Sequence, residues 1–389
     1  MRRQDVAPDR QEFLERADGH PNAWALVAPP TPRSLPAGSV NQAGLADANF
    51  ALGELSQSIT RIPNTDMVTR TLARREAVGS SRIEGTKSDL HQLLAYEATR
   101  DGRGLPEDVR IVERYVEALQ YGLDRIRDEG RRALDLALIN HLHAILMRDE
   151  HGMQAGAYRT HQAWIGSSPR IEDATFVPAP PARIEGCMEE MAASILEYEP
   201  RPEEQGSLTL LVQIAIAHAQ FETIHPYQDG NGRTGRLLMP LMFVAAGFPP
   251  LYLSGALFRA RQNYYSALAQ VQLQGDWRPW LDLIFRVVVE SCRDSTSIAH
   301  DLNAIAQGWC EQLSSYRADS ATRRMPRFLL GHPVVSVNQV VEGLHVSQPA
   351  ANAAMNNLLA AGIVELRTAN RKWGRVFNAT AVLDRLNRS

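Results

Sequence analysis

The stretch IHPYQDGNGRTGRLL, Ile224 to Leu238, joins two apolar runs, SLTLLVQIAIAHAQFETI before it and LLMPLMFVAAG after it. Each run is long enough for a helix, and the junction constrains how the two can meet. Pro226 disfavours α conformation at His225, so the first helix is expected to end there. The second is expected to begin around Gly232 or Arg233. Asp229 to Gly232 then form a loop at a helix N-terminus, where unpaired backbone N–H groups and the helix dipole favour an anion.

The side chains in this loop fit a polyphosphate. Gly230 and Gly232 let the backbone approach the anion closely. Arg233 and Arg236, three apart, share one face of the first helical turn and can fork onto phosphate oxygens. Asp229 is placed to hold Mg²⁺, which takes few carboxylates together with phosphates. His225 sits at the edge, where a general base for an incoming hydroxyl belongs. The run is not a P-loop, because Arg236-Leu237 replaces Lys-Ser/Thr and no strand precedes it. Nor is it a calcium loop, because Arg233 stands where an oxygen ligand is needed. A solvated turn with surface arginines would make no use of such a density of groups.

HPYQDGNGRTGR closely resembles the Fic-family signature, histidine-proline-aromatic-x-Asp/Glu-Gly-Asn-Gly-Arg-x-x-Arg, at every fixed position. The resemblance runs from about Leu45 to Val289. It implies transfer of AMP from ATP to a Ser, Thr or Tyr hydroxyl of a target protein, with release of pyrophosphate. It makes His225 the base and Asp229 the Mg²⁺ ligand. It puts Asn231 and the Gly230–Gly232 backbone on the α-phosphate region, Arg233 on the β-phosphate and Arg236 on the γ-phosphate, with Gly235 in the same phosphate site. Other phosphate donors are known in the family, so ATP is an expectation.

Two further segments gain meaning from that resemblance. THQAWIG and ATFVP are short β-prone runs around a polar SSPRIED turn, so a small hairpin is expected. It resembles the family's flap, with Thr175, Phe176 and Val177 docking the target peptide by strand addition. Tyr264 and Tyr265 lie where relatives often line the adenine pocket, although aromatics at helical spacing also serve cores.

Upstream, GSSRIEGT places Ser80 and Glu84 on one helical face, with Gly85 ending the helix. A glutamate there opposes the helix dipole, so a cationic partner is expected. Ser80-x-x-x-Glu84-Gly85 resembles the family's inhibitory motif, in which the glutamate pairs with the second motif arginine, here Arg236. Such a pair competes with phosphate for the same guanidinium fork. In some relatives the same glutamate supports removal of AMP from the target.

The fold class expected is mainly α: a Fic helical fold with a small β-hairpin flap, plus a C-terminal winged helix-turn-helix domain. The segments read as 1–44, a proline-rich extended arm; 45–120, helices carrying the inhibitory motif; 121–290, the catalytic core; 291–320, a linking helix; and 321–389, the winged helix. In the last segment Gly343 is placed in the turn, Ser347 caps the second helix, and RTANRKWGR forms the wing. Residues 321–389 hold nine Lys/Arg and three Asp/Glu, against a net charge of −3 for the whole chain. Gln348, Asn352 and Asn356 can read base edges, but the second helix has no Lys or Arg for phosphates. Dimerisation or partner docking is therefore favoured over DNA binding for this module. The rival function is a winged-helix DNA-binding regulator whose Fic-like body senses a nucleotide.

His141, His143 and His218 lie on helices without paired ligands and read as core or surface residues. Trp277 and Trp280 read as packing anchors. Three cysteines, with no long uncharged apolar run, lead to the expectation of a soluble cytoplasmic protein with no membrane segment, and the Glu84-bearing helix, a natural element to regulate through an interface, to that of a homodimer.

Overall fold

The computed structural model describes every residue except Ile62, His151, Glu203, Gln205, Arg371, Lys372, Trp373 and Ser389. In chain order the strands and helices begin with β1 (Leu14–Ala17), β2 (His20–Leu26), α1 (Gln42–Arg61), α2 (Thr65–Ile83), α3 (Leu90–Thr99), α4 (Val109–Glu129) and α5 (Leu136–Met147). There follow α6 (Ile184–Met191), α7 (Leu210–Ile224), α8 (Asn231–Ala245), α9 (Ser254–Arg259), α10 (Arg261–Ala269) and α11 (Arg278–Gln312). The chain closes with α12 (Ala321–Gly331), β3 (Val334–Ser336), α13 (Val337–Leu344), α14 (Gln348–Ala360), β4 (Glu365–Asn370), β5 (Gly374–Asn378) and α15 (Thr380–Asn387). The protein is thus mainly helical with small antiparallel strand groups. No described helix is long and apolar enough to cross a membrane.

Two compact units interleave along the chain. One comprises Met1–Leu52 with Arg114–Glu290, and the other Gly53–Glu113 with Ser291–Ser389. This division differs from the consecutive segments read from sequence, because distant stretches share each unit.

The first unit is built around α7, which is buried along nearly its whole length and packs on α8. That explains why its sequence is apolar all round rather than striped. Trp280 is fully buried and donates its indole N–H to the Ala215 carbonyl at 2.9 Å, so it does anchor α11. Residues 1–44 are not simply an extended arm. β1 and β2 pair antiparallel, Leu14 opposite Leu26, and bury Met1, Val6, Leu14 and Leu26 with Ile171, Phe176 and Val177. Strands of four and seven residues with small inward alanines carry too weak an alternation to be legible beside the prolines.

In the second unit α2 packs on α12. Thr71 donates its hydroxyl to the Leu330 carbonyl at 2.5 Å and Arg70 Nε to the Gly331 carbonyl at 3.3 Å. These donors satisfy carbonyls at the end of α12 that have no intrahelical partner. β3, β5 and β4 form a three-stranded antiparallel sheet in that order. Ser336 and Gln339 form a capping box on α13, and Ser347 caps α14 through the Ala350 N–H, as expected. Gly343 lies inside α13, not in the turn. A methyl there would come within 2.4 Å of the Phe328 ring, so the glycine serves close packing. The middle of the expected wing, Arg371 to Trp373, lies outside the described residues.

Candidate active site

α7 ends at Ile224, and His225 takes a left-handed conformation, φ 51° and ψ 61°, as its C-cap. The pre-proline restriction is met by leaving the helix at this residue. α8 starts at Asn231, one residue earlier than expected, with Gly230 as N-cap at φ 79° and no side-chain cap. The amides of its first turn are therefore not consumed by a capping side chain. A methyl on Gly230 would lie 2.7 Å from Met147 Sδ, so glycine is required both by φ and by space.

The Asn231 side chain bonds within the loop. Its Oδ1 accepts the Tyr227 N–H at 2.8 Å and its Nδ2 donates to the Tyr227 carbonyl at 2.8 Å. The amide thus satisfies both backbone polar groups of one loop residue and holds the loop's shape. Thr234 reinforces the turn, with its hydroxyl donating to the Gly230 carbonyl at 2.9 Å.

The charged groups sort by depth. The Asp229 side chain is 64% exposed, with Oδ2 3.7 Å from Arg233 Nη2. Arg233 and Arg236 are buried, Arg236 almost completely. His225 is half-buried, with Nδ1 4.0 Å from Glu222 Oε2. Two buried cations beside one exposed carboxylate and an open helix N-terminus form a site that favours anions. Asp229 is a hard oxygen donor of the kind Mg²⁺ takes, and its exposure leaves room for phosphate and water ligands. Among the described residues, no three His, Cys, Asp or Glu cluster as a self-sufficient metal site.

Several residues that sequence reasoning passed over shape this loop. Arg159 is buried and spends its guanidinium on backbone carbonyls of His225 at 2.9 Å, His161 at 3.0 Å and Ala179 at 2.5 Å. Its own N–H donates to the Pro226 carbonyl at 2.9 Å. Burial pulls its pKa down to about 10, so it remains charged at neutral pH. Tyr227 is fully buried and donates its hydroxyl to Asn140 Oδ1 at 2.6 Å; burial raises its pKa well above the usual phenol value. His143, read as core or surface, is buried and bonds to the Asp229 carbonyl at 2.9 Å. His218 is a core residue, as read, 2.8 Å from the Tyr264 hydroxyl. Desolvation, aided by Arg236, lowers its pKa to about 4, so it is neutral and its 3.9 Å approach to Glu222 is no ion pair.

The expected flap pairs less extensively than two strands would. Ile165 and Phe176 form an antiparallel bridge, with a 3₁₀ turn at Ile171–Asp173 between them. Thr175 is exposed, whereas Phe176 and Val177 are buried. The Val177 carbonyl accepts the Leu26 N–H at 2.9 Å, so β2 takes that edge. Tyr264 is buried against His218, while Tyr265 is 43% exposed beneath the Arg261 guanidinium. Ser80, Glu84 and Gly85 belong to the second unit. Ser80 is buried and Glu84 exposed at the C-cap of α2. Gly85 stands at φ 97°, with Gly85 N–H to the Arg82 carbonyl and Thr86 N–H to the Ser81 carbonyl. That pair of bonds is a Schellman motif, the helix stop expected of this glycine.

Residues 133–243, which include the whole loop, match the Fic/DOC family, and residues 43–124 match the Fic/DOC family N-terminal region. The chain carries a Fic domain. A curated relative, protein adenylyltransferase Fic of Nematostella vectensis, is 29% identical over 210 residues, 53% of this chain and 45% of the relative. Protein adenylyltransferase fic-1 of Caenorhabditis elegans is 32% identical over 142 residues, 36% of this chain and 24% of the relative. The chain thus spans less than half the length of these relatives. Among solved structures, a Fic family protein from Desulfovibrio desulfuricans aligns over 90% of this chain and 98% of its own, with TM-score 0.54 and 19% identity. A Fic-domain signalling protein from Bacteroides thetaiotaomicron aligns over 65% of this chain and 97% of its own, with TM-score 0.55 and 16% identity. Both likenesses show the Fic fold.

Proposed function

We propose that this Fic domain is a protein adenylyltransferase, transferring AMP from ATP to a hydroxyl side chain of a target protein. The observation that carries the reading is the intact HPYQDGNGRTGR loop, whose uncapped helix start, buried Arg233 and Arg236 and edge histidine match the needs of phosphate transfer. His225 takes the proton of the target hydroxyl, whose oxygen then attacks the α-phosphorus. The bond from that phosphorus to the bridging oxygen breaks, and pyrophosphate leaves. Arg233 and Arg236 stabilise the charge gathering on the leaving pyrophosphate, and the first amides of α8 face the transferred group. Asp229 would hold Mg²⁺, which when bound neutralises phosphate charge. Gly235 keeps α8 close against Phe221 and Glu222, where a methyl would approach both within 3.0 Å. Tyr265 is the better candidate of the tyrosine pair for stacking on adenine, because Tyr264 is spent on His218. The exposed Thr175 is the flap residue free to meet a target peptide.

In the same reading Glu84 acts as a brake on Arg236, and removal of AMP by way of Glu84 is its natural second use. Support comes from the sequence of the Ser80–Gly85 motif and from the helix stop at Gly85. Residues 321–389 form a winged helix-turn-helix module serving self-association or partner docking. The arrangement of Asn352 and Asn356 speaks against base reading: both accept bonds from Arg375, at 2.8 and 2.6 Å.

The test is label incorporation from α-phosphate-labelled ATP with Mg²⁺. Label is expected in the Glu84→Gly protein, above wild type, and absent from Glu84→Gly with His225→Ala. No label in any form despite measured ATP binding would overturn the reading and favour the nucleotide-sensing regulator. Retardation of random duplex DNA at low salt would then be its signature.

A further inference from the structure

One face of α5 contributes no group to the reaction above, yet three of its residues touch the phosphate loop. Asn140, His143 and Met147 recur at three- and four-residue spacing, which puts them on one side of the helix. Asn140 holds the Tyr227 hydroxyl, and Met147 Sδ lies 3.5 Å from Arg233 Nη2. His143 lies between them, its ring stacked on Tyr227 with centroids 3.6 Å apart and planes 5° from parallel.

The two ring nitrogens of His143 have unambiguous roles. Nδ1 lies 2.9 Å from the Gly156 backbone nitrogen, which can only donate, so Nδ1 accepts. Nε2 lies 2.9 Å from the Asp229 carbonyl, which can only accept, so Nε2 carries the proton and donates. The neutral tautomer with Nε2–H is the single form that makes both bonds. Burial agrees, pulling the ring's pKa to about 4. The carbonyl held by Nε2 belongs to the peptide leading into Gly230, whose left-handed conformation starts α8.

We propose that His143 is a positioning residue for the phosphate loop: Nε2–H fixes the Asp229 carbonyl, and with it the Gly230 turn that presents the first amides of α8 to the nucleotide. The proposal rests on the adenylyltransferase reading only for its kinetic consequence. The geometric part concerns the protein without nucleotide.

The two bonds can be separated by substitution. In His143→Asn the side-chain oxygen stands near the place of Nδ1 and keeps the Gly156 bond, but nothing reaches Asp229. In His143→Gln the amide nitrogen stands near Nε2 and keeps the Asp229 bond. Hydrogen exchange of the 226–236 backbone is measured on full-length, nucleotide-free protein carrying Asn, Gln or Ala at position 143. Asn and Ala are expected to speed exchange about tenfold, the equivalent of one buried hydrogen bond, and Gln to restore most of the protection. In a Glu84→Gly background, Asn is expected to raise KM for ATP by about 10–100-fold, the usual cost of losing a group that orients a ligand-binding residue. Gln is expected to recover most of that loss.

Asn and Gln proteins with equal loop exchange would overturn the proposal, whether both resemble wild type or both resemble Ala. If the Asn protein does not fold, the Gln protein decides alone: exchange as fast as in the Ala protein overturns it, and near-native protection supports it. Absence of AMP transfer from the Glu84→Gly parent would defeat the functional reading and leave the exchange comparison standing.

Discussion

Replacing Gly230 by alanine tests the loop geometry most directly, because two separate penalties meet at one methyl group. The backbone stands at φ 79°, where an L-residue is disfavoured by about 1–2 kcal/mol. The added carbon would lie 2.7 Å from Met147 Sδ, 3.2 Å from its Cγ and 3.3 Å from His143 Cδ2. Overfilling a packed interior costs about 1–3 kcal/mol. Together Gly230→Ala should destabilise the Fic domain by about 2–5 kcal/mol, lowering its melting temperature by roughly 5–15 °C. Met147→Ala, at a fully buried position, should by itself cost about 2–5 kcal/mol. The double variant removes the collision but not the φ penalty, so the two losses should fall short of adding by about 1–3 kcal/mol. Calorimetric melting of the four proteins closes the cycle. Additive losses, or a Gly230→Ala protein melting like wild type, would refute the close approach of α5 to the loop.

Gly85→Ala probes the stop of α2. Nothing lies within 4 Å of its added methyl, so only the φ of 97° is penalised, and the cost should be about 1–2 kcal/mol, read by chemical denaturation. Arg159→Leu leaves three carbonyl partners without their donor, that of Ala179 buried and those of His161 and His225 partly so. A loss of about 3 kcal/mol or more, with faster amide exchange around Ala179 and His225, is the expected result. Stability should also fall in mild acid. His143, His218 and His332 are each held near pKa 4 by burial, below the ordinary 6.5. The unfolded chain therefore binds more protons than the folded one between those values. Their contribution is complete above about pH 6.5 and is lost progressively as pH falls toward 4. Melting at pH 7.5 and pH 5.0 measures this, and equal midpoints would contradict the burial of all three.

Much of the site was legible because it is local. Pro226 after His225 and Gly230 before Asn231 dictate a helix, a sharp loop and a helix start through steric restrictions on neighbouring residues. The Schellman stop at Gly85 and the cap at Ser347 were legible for the same reason. Other roles were not legible. The Asn231 side chain takes Tyr227 as its partner, which the motif did not name, and Gly343, placed in a turn, instead admits Phe328 against a helix. In both, the residue type was informative, but its partner was set by packing.

The sequence by itself determined where the backbone turns, which side chains crowd the loop, and that the fold is mainly helical with a Fic signature. These follow from dihedral preferences and periodicity, which act over a few residues. Only the tertiary structure decided that α5, more than eighty residues upstream, braces the loop through Asn140, His143 and Met147. It alone joined β2 to Val177, made Arg159 the tie between His225 and Ala179, and gave α2 the end of α12 as its partner. Each is a contact between distant segments, formed because a buried carbonyl must find a donor and a buried surface must be covered. Local pattern carries the need for such a partner but not its address.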